Sequence, residues 1–198
     1  MAWAPDYVEV DDLASYLRID DAVDDPELAL AITAASRAVD HETNRQFGLV
    51  ASTEARTYYA RPDYDMGYWV VHVDDFMVTG APTVTVDGGS VTTFVQEPVN
   101  ASQQGRPWTR IRFTVDSEFL PSTHPHEVSV TTRWGWSSVP VAVEQATLLQ
   151  ASRFFTRRNA PFGIAGSPDV GSEMRLLAKV DPDVAVSLRD YRRLRSVF

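Results

Sequence analysis

The hydrophobic period of the chain changes twice, from helical to strand-like and back, and this constrains the fold more than any other feature. Near the N-terminus, apolar residues follow the i, i+3, i+4, i+7, i+11 spacing of a buried helical stripe, at Leu28, Ala31, Ile32, Ala35 and Val39. From about Thr53 to Trp136 the period becomes two, which is typical of half-buried strands. The helical pattern then returns. The sequence therefore predicts an α+β protein in which an inserted β region interrupts a helical domain.

Four helices are predicted outside the β region, two of them from an acidic N-cap that is followed by proline. They span Asp11–Ile19, Pro26 to about Thr43, Pro140–Arg158, and a last helix that begins at Asp181-Pro182-Asp183. If the outer helices pack together, residues 1–52 and 137–198 form one helical domain, arranged as a helix pair, the insert, and a second helix pair.

Six strands are predicted within residues 53–136 from runs of β-branched and aromatic residues. They are Arg56–Ala60, Tyr68–Val73, Thr83–Val86, Val91–Val95, Thr109–Val115 and Val128–Thr132. The segment Asp87-Gly88-Gly89-Ser90 predicts a tight hairpin turn. Short strands separated by turns indicate a small antiparallel β-sandwich or a barrel-like insert.

The charge of the chain is unevenly distributed around a net value of −9. Residues 1–130 contain 8 Arg against 21 Asp and Glu, whereas residues 131–198 contain 10 Lys and Arg against 6 acids. Acidic solvated faces that maintain solubility are one interpretation. The other is a dipolar subunit whose acidic end meets a basic neighbour in a stack or ring. A mostly acidic surface opposes phosphate contacts, so duplex binding by the whole chain is not expected.

No targeting or membrane segment is predicted. Met1–Asp6 lack a basic start and an apolar stretch, and the apolar run Val139–Val143 ends at Glu144, far short of a membrane helix. A soluble protein is expected. The chain has no cysteine, which excludes disulfides, thiolate zinc sites, iron–sulfur clusters and a cysteine nucleophile.

No metal or cofactor site is predicted. His124-Pro125-His126 has no third ligand at a specific spacing, so a solvated turn is expected there. The acidic run Asp20, Asp21, Asp24 and Asp25 lacks the central glycine and the bidentate glutamate of a calcium loop. Linker and capping roles explain that run.

No enzyme is predicted either. The adjacent pair Asp74-Asp75 is expected to be a solvated strand end, and no nucleophile elbow, phosphate loop or dinucleotide fingerprint is present. At least two of Trp108, Trp134 and Trp136 are expected in the core. The alternative function is a carbohydrate- or protein-binding β-sandwich module with helical flanks, which requires an exposed coplanar set of Trp69, Trp108 and Trp134.

The order of short motifs at the two ends carries a resemblance. A short helix, an acidic break, a longer helix and a turn occur at Val10–Asp20, Asp24–Leu28, Ala34–Asp40 and Thr43–Gly48. A strand and its Gly-Trp turn follow at Val130–Trp136. The next helix is opened by Val139-Pro140 and continues through Ala146–Arg158. The last helix is capped at Asp181–Val184 and carries Leu188, Tyr191 and Arg192. This order resembles the head–tail connector (adaptor) proteins of tailed double-stranded-DNA phages, in the longer variety that carries a β-insert.

The resemblance implies a structural virion protein of the head–tail neck, assembled in the host cytoplasm. Members form a ring, typically a dodecamer, beneath the portal protein. The ring extends the DNA channel and offers a docking surface to the next neck or tail-completion protein. Packaged double-stranded DNA would pass through the lumen without sequence-specific binding, and no membrane is involved.

The resemblance also implies that the C-terminal segment reaches the portal. The interface residues would be Arg189, Tyr191, Arg192, Arg193, Leu194, Arg195, Val197 and Phe198. A basic end that finishes in two apolar residues suits a partner groove, and deletion of Arg192–Phe198 is expected to abolish portal binding while the fold survives. A negatively charged lumen lets DNA slide through a ring without adhering to it. The candidate channel-facing residues are therefore Asp20, Asp21, Asp24 and Asp25.

Overall fold

The structure, a computed structural model, describes residues 3–78, 80–113, 126–157, 164–165, 174–175 and 182–193. It contains α-helices and antiparallel sheets, so the protein is of the mixed α+β class. The chain forms two compact units. One comprises Met1–Phe47 with Val139–Phe198, and the other comprises Gly48–Ser138.

Two four-stranded antiparallel sheets make up the unit Gly48–Ser138. The strands are β1 (Glu54–Tyr59), β2 (Arg61–Asp63), β3 (Tyr68–Phe76), β4 (Thr83–Val86), β5 (Gly89–Val91), β6 (Phe94–Glu97), β7 (Trp108–Phe113) and β8 (Glu127–Thr132). One sheet has the order β1-β8-β4-β5 and the other β2-β3-β7-β6. The strands that the structure describes do not close into a barrel, so the barrel-like alternative is not confirmed.

One predicted strand is wrong, because Val91–Val95 is two strands in two sheets. β5 ends at Val91 and pairs with β4, whereas β6 begins at Phe94 and pairs with β7. The chain changes sheets over Thr92 and Thr93 within an unbroken run of β-forming residues. Strand propensity reports the local conformation of the backbone and carries no information about which strand becomes the partner. The short strand β2 was not predicted, because Pro62 at its centre weakens the pattern.

The helical unit contains α1 (Val10–Leu17), α2 (Asp25–Thr43), α3 (Val141–Arg157) and α4 (Pro182–Leu188), and a 3₁₀ turn at Arg189–Tyr191 follows α4. The short strands β9 (Ile164–Ala165) and β10 (Met174–Arg175) pair antiparallel. None of the helices in the described part of the chain is both long and apolar enough to cross a membrane. The predicted N-cap Asp181 lies outside the described residues.

The boundaries of the first two helices follow from backbone conformation. Arg18 at the end of α1 and Asn44 at the end of α2 both adopt the left-handed conformation, with φ of 60° and 52°. This conformation stops helix propagation and suits asparagine. At its other end α2 starts at Asp25, so Asp24 takes the cap position that was predicted for Asp25.

The core of the helical unit forms along the predicted stripe of α2. Leu28, Ile32 and Ala35 are at most 2% exposed and share a cluster with Leu13 of α1 and Ala151 of α3. Burying each large aliphatic side chain contributes about 1.5–3 kcal/mol to folding. The same cluster therefore joins α1, α2 and α3.

The two ends of the β unit are held side by side at a close backbone approach. Leu49 and Gly135 form an isolated bridge, and the N–H of Trp136 donates to the carbonyl of Gly48 at 2.8 Å. Gly135 has φ of +104°, and a Cβ at this position would lie 2.0 Å from the oxygen of Gly48. Only glycine fits both the conformation and the space.

Gly135→Ala should destabilise the β unit by about 3 kcal/mol or more, because backbone strain and a steric clash coincide there. Urea unfolding followed by tryptophan fluorescence measures this change, since Trp134 and Trp136 are buried in this unit. The matched control is Gly105→Ala, with φ of +62° and open space around the added Cβ. It should cost only about 1 kcal/mol. Equal effects of the two variants would contradict the conclusion that the Gly48 oxygen excludes a side chain at position 135.

Candidate interaction surfaces

The C-terminal segment is anchored to the end of α2 as far as Arg193. The N–H of Arg193 donates to the carbonyl of Thr43 at 2.7 Å, and Nδ2 of Asn44 donates to the carbonyl of Arg193 at 3.3 Å. The Tyr191 ring lies edge-on to Phe47, with centroids 5.9 Å apart. The Arg193 amide thus satisfies one of the carbonyls that a helix leaves unpaired at its C-terminus.

An aromatic cluster of Tyr7, Phe47 and Tyr191 lies behind this anchor. The Phe47 side chain is fully buried, and the Tyr7 ring meets it edge-on at 5.6 Å. The Tyr7 hydroxyl accepts a hydrogen bond from the N–H of Phe47 at 3.0 Å and donates one to Oδ1 of Asp40. Nε of Arg37 lies 3.1 Å from Oδ2 of the same carboxylate. The N-terminal segment, the last turns of α2 and the C-terminal segment therefore share one network.

Burial shifts the pKa values of both partners in this network upward. Desolvation is the main cause that raises the pKa of Tyr7, and the Asp40 carboxylate raises it further. Desolvation also raises the pKa of Asp40, opposed by the Tyr7 hydrogen bond and by Arg37. The Tyr7 hydroxyl therefore stays protonated and acts as a permanent donor to Asp40.

The predicted portal-interface residues divide into two groups. Arg189 and Arg192 are exposed, and Arg192 is only loosely paired, with its NH1 3.8 Å from Oε1 of Glu42. Tyr191 and Arg193 are half-buried and anchor the segment. The remaining predicted residues, Leu194, Arg195, Val197 and Phe198, lie outside the described residues.

The four predicted channel-facing acids lie at the opposite end of α2 from this anchor. Asp20 and Asp21 are exposed, and Asp24 and Asp25 are half-buried at the start of the helix. Oδ1 of Asp21 accepts from the N–H of Val23 at 3.0 Å, which orders the turn. The 19 residues of α2 span about 28 Å. The acidic turn and the basic C-terminal segment therefore form two separate surfaces of the helical unit.

The tryptophan set required by the alternative function does not form. Trp134 is 1% exposed, and its Nε1 donates to the carbonyl of Glu54 at 2.9 Å. The guanidinium of Arg56 lies 4.9 Å from its ring. Trp108 packs against Phe76, while Trp69 lies edge-on to His126. Since Trp134 and Trp136 are buried, core packing of two tryptophans is confirmed and an exposed coplanar face is not favoured.

The other polar candidates have structural partners. Asp74 is exposed and pairs with Arg56 at 2.8 Å, but Asp75 is buried and accepts from Nε1 of Trp136 at 2.9 Å. The expectation of a solvated strand end is therefore wrong for Asp75. Nδ1 of the buried His126 contacts Oδ2 of Asp87 at 2.6 Å, and His124 lies outside the described residues. Within the described part of the chain, no group of three or more potential ligands is placed to hold a metal.

The solvent-facing side of the β2-β3-β7-β6 sheet carries a feature that the sequence prediction missed. Arg110 and Arg112 alternate along β7 and both contact Glu97 of β6, with NH2 of Arg110 at 2.7 Å and Nε of Arg112 at 2.8 Å. The Arg112 guanidinium also lies 4.8 Å from the Tyr68 ring. The Arg-Ile-Arg alternation signals a shared face, but only the register Glu97↔Arg110 brings the carboxylate between the two arginines.

An open groove of about 290 Å³ lies beside Arg110. It is lined by His72, Glu97, Pro98, Val99, Thr109 and Arg110. This volume is at the lower end of the range for small-molecule sites. The groove is therefore better matched to one or two protein side chains than to a large ligand.

The comparison with solved structures finds a similar fold in a chain of the structure described as "Neck of empty GTA particle computed with C6 symmetry". The match covers 100% of this chain and 95% of that chain, with 18% identity and a TM-score of 0.56. A chain of "Virion of native gene transfer agent (GTA) particle" matches over 96% of this chain and 91% of that chain, with 19% identity and a TM-score of 0.47. No family model and no curated protein matches the sequence. The first likeness shows a shared fold.

Tyr7→Phe should destabilise the helical unit by about 1–3 kcal/mol, because the variant leaves a buried amide and a half-buried carboxylate without their shared hydroxyl. Urea unfolding followed by far-ultraviolet circular dichroism measures the change. Tyr16→Phe is the matched control, since Tyr16 is 48% exposed in the same unit, and its effect should stay within about 0.5 kcal/mol. A Tyr7→Phe variant as stable as this control would refute the role given to the hydroxyl.

Proposed function

We propose that this chain is a structural, non-enzymatic protein of a phage-like virion neck and serves as the head-to-tail adaptor. The observation that carries the proposal is the fold shared with a chain from a particle neck, over the full length of this chain. The order of motifs at both ends of the sequence supports it independently. The protein would assemble in the host cytoplasm and reside in the head–tail neck.

A ring beneath the portal is the proposed assembly. The related neck was computed with C6 symmetry, and a dodecamer is compatible with a sixfold axis because twelve is a multiple of six. The residues 1–52 and 137–198 would form the connector domain, and the insert of residues 53–136 would add surface to the ring. The next neck or tail-completion protein would dock on the side away from the portal.

The C-terminal segment is the proposed portal contact. Anchoring at Arg193 fixes the position from which Leu194–Phe198 continue, while Arg189 and Arg192 present exposed charges beside it. Because the chain is already fixed at Arg193, less conformational entropy is lost when the segment binds. In this arrangement Tyr191 and Arg193 hold the segment in place, and Arg189, Arg192, Leu194, Arg195, Val197 and Phe198 make the contact.

Deletion of Leu194–Phe198 should abolish portal binding without loss of stability, because the cut leaves the Arg193 cap on α2 intact. Native mass spectrometry of the purified chain mixed with the portal protein of the same genome gives the test. Wild-type chain should add a matching set of subunits to the portal ring, and the truncated chain should add none. Unchanged binding by the truncated chain would overturn the assignment of this segment.

Charge reversal refines that test. Arg189→Glu should weaken portal binding, whereas the matched control Arg106→Glu, an exposed arginine of the β unit, should not. If neither the wild-type chain nor the control binds the portal, the adaptor role itself is refuted.

The acidic turn before α2 is the proposed lumen surface. Replacing Asp20, Asp21, Asp24 and Asp25 by asparagine removes four negative charges and takes the net charge from −9 to −5. Portal–adaptor assemblies carrying this variant should retain labelled duplex DNA longer, most clearly at low salt. The control replaces four exposed acids elsewhere by amides, namely Asp11, Glu54, Glu127 and Asp183. Equal retention by the two variants would exclude the acidic turn from the lumen.

A further inference from the structure

The β unit has a basic, partly apolar groove on one side of a sheet and an acidic, apolar hairpin tip on another part of the same sheet. The groove centres on Arg110, whose side chain is 42% exposed and whose position is fixed by Glu97. Pro98 and Val99 form its apolar wall, and Val99 is 63% exposed.

The arginines on this face keep donors available after pairing with Glu97. Arg112 uses Nε and Arg110 uses one terminal nitrogen, and one carboxylate cannot neutralise two guanidiniums. The Glu97 side chain is only 11% exposed, so the outward charge of the trio is positive. Guanidiniums held in a fixed orientation favour a carboxylate ligand, because little rotamer entropy remains to be lost.

The hairpin tip between β2 and β3 has the complementary character. Tyr64 is 88% exposed and Met66 is 67% exposed, and Asp65 stands between them. The turn is ordered, since the N–H of Met66 donates to Oδ1 of Asp63 at 3.1 Å and that of Gly67 to the Asp63 carbonyl at 2.8 Å. Exposed Tyr and Met side chains beside each other on a hydrogen-bonded turn are typical of a protein-contact surface.

The tip cannot serve its own groove. The tip directly precedes β3, which begins at Tyr68, and the groove reaches β3 at His72. Four residues of strand separate these positions by about 13 Å. A tip that fills this groove therefore belongs to another copy, and the charge and apolar residues of the tip match those of the groove.

We propose that the hairpin tip of one copy binds the groove of the next copy, with Asp65 facing Arg110 and with Tyr64 and Met66 against Pro98 and Val99. Because the two patches differ, the contact is heterologous, and repeating it gives a ring when its rotation divides a full turn. This inference rests on the proposed function and names the self-contact within it.

The absence of cysteine from the chain allows a clean test by disulfide trapping. One full-length copy carries Tyr64→Cys or Met66→Cys, and a second carries Val99→Cys. Oxidation of the mixture should give mixed dimers, because a disulfide forms only when Cα atoms approach within about 7 Å. A chain with both Tyr64→Cys and Val99→Cys should give a ladder of multimers. The control replaces Val99→Cys by Thr92→Cys, an exposed position away from the groove.

Charge exchange then identifies the pairing. Arg110→Glu on the Val99→Cys copy should lower the yield of mixed dimer by about fivefold to tenfold, and Asp65→Arg on the other copy should restore it. Circular dichroism of each variant confirms that it is folded. The proposed contact is overturned if the yield of mixed dimer is no higher than with Thr92→Cys. It is also overturned if Asp65→Arg does not restore the yield that Arg110→Glu lowers.

The outcomes separate this contact from the proposed function. Portal binding without cross-linking overturns the self-contact and leaves the adaptor role standing, whereas cross-linking without portal binding does the reverse. If Arg110→Glu and Arg112→Glu weaken retention of labelled duplex DNA and leave the cross-link unchanged, nucleic acid occupies the arginine face and the self-contact is overturned.

Discussion

The hydrogen bonds of the Tyr7 hydroxyl constrain where the N-terminal segment of the helical unit meets the end of α2. This single group satisfies the amide of Phe47 and the carboxylate of Asp40, and its ring completes the packing around Phe47. Tyr191 joins the same cluster from the far end of the sequence. Chain segments separated by more than a hundred residues therefore meet at one buried phenylalanine, and one of them is the 3₁₀ turn that carries Arg189.

Much of the helical unit could be predicted from local signals. The apolar stripe of α2, the proline near its start and Asn44 at its end each report on a few neighbouring residues, and the structure places the helix within one residue of the prediction. The division of Val91–Val95 between two sheets could not be predicted. That outcome depends on pairing with β4 and β7, which lie at different distances along the chain and leave no mark on the segment itself.

The same limit applies to the candidate surfaces. The resemblance made the C-terminal segment a candidate surface, and the charge of the sequence made the acidic turn another, because charge is readable from the residues alone. Neither separated Tyr191 and Arg193, which anchor, from Arg189 and Arg192, which are exposed, since that distinction needs the contact with Thr43 and Phe47. Glu97 was missed for a related reason. Its role requires a cross-strand register that joins residues 97 and 110.

The backbone approach of Gly135 to Gly48 has a consequence for how the β unit is attached to the rest of the chain. Because the β unit begins and ends at one point, it occupies the place of a short loop in the helical unit's chain, whatever its own length. Insertions whose two ends are adjacent are tolerated well, because the host domain has to separate its own chain ends by only a small gap. A short turn between Gly48 and Trp136 would therefore bridge the same two points of the chain that the whole β unit joins.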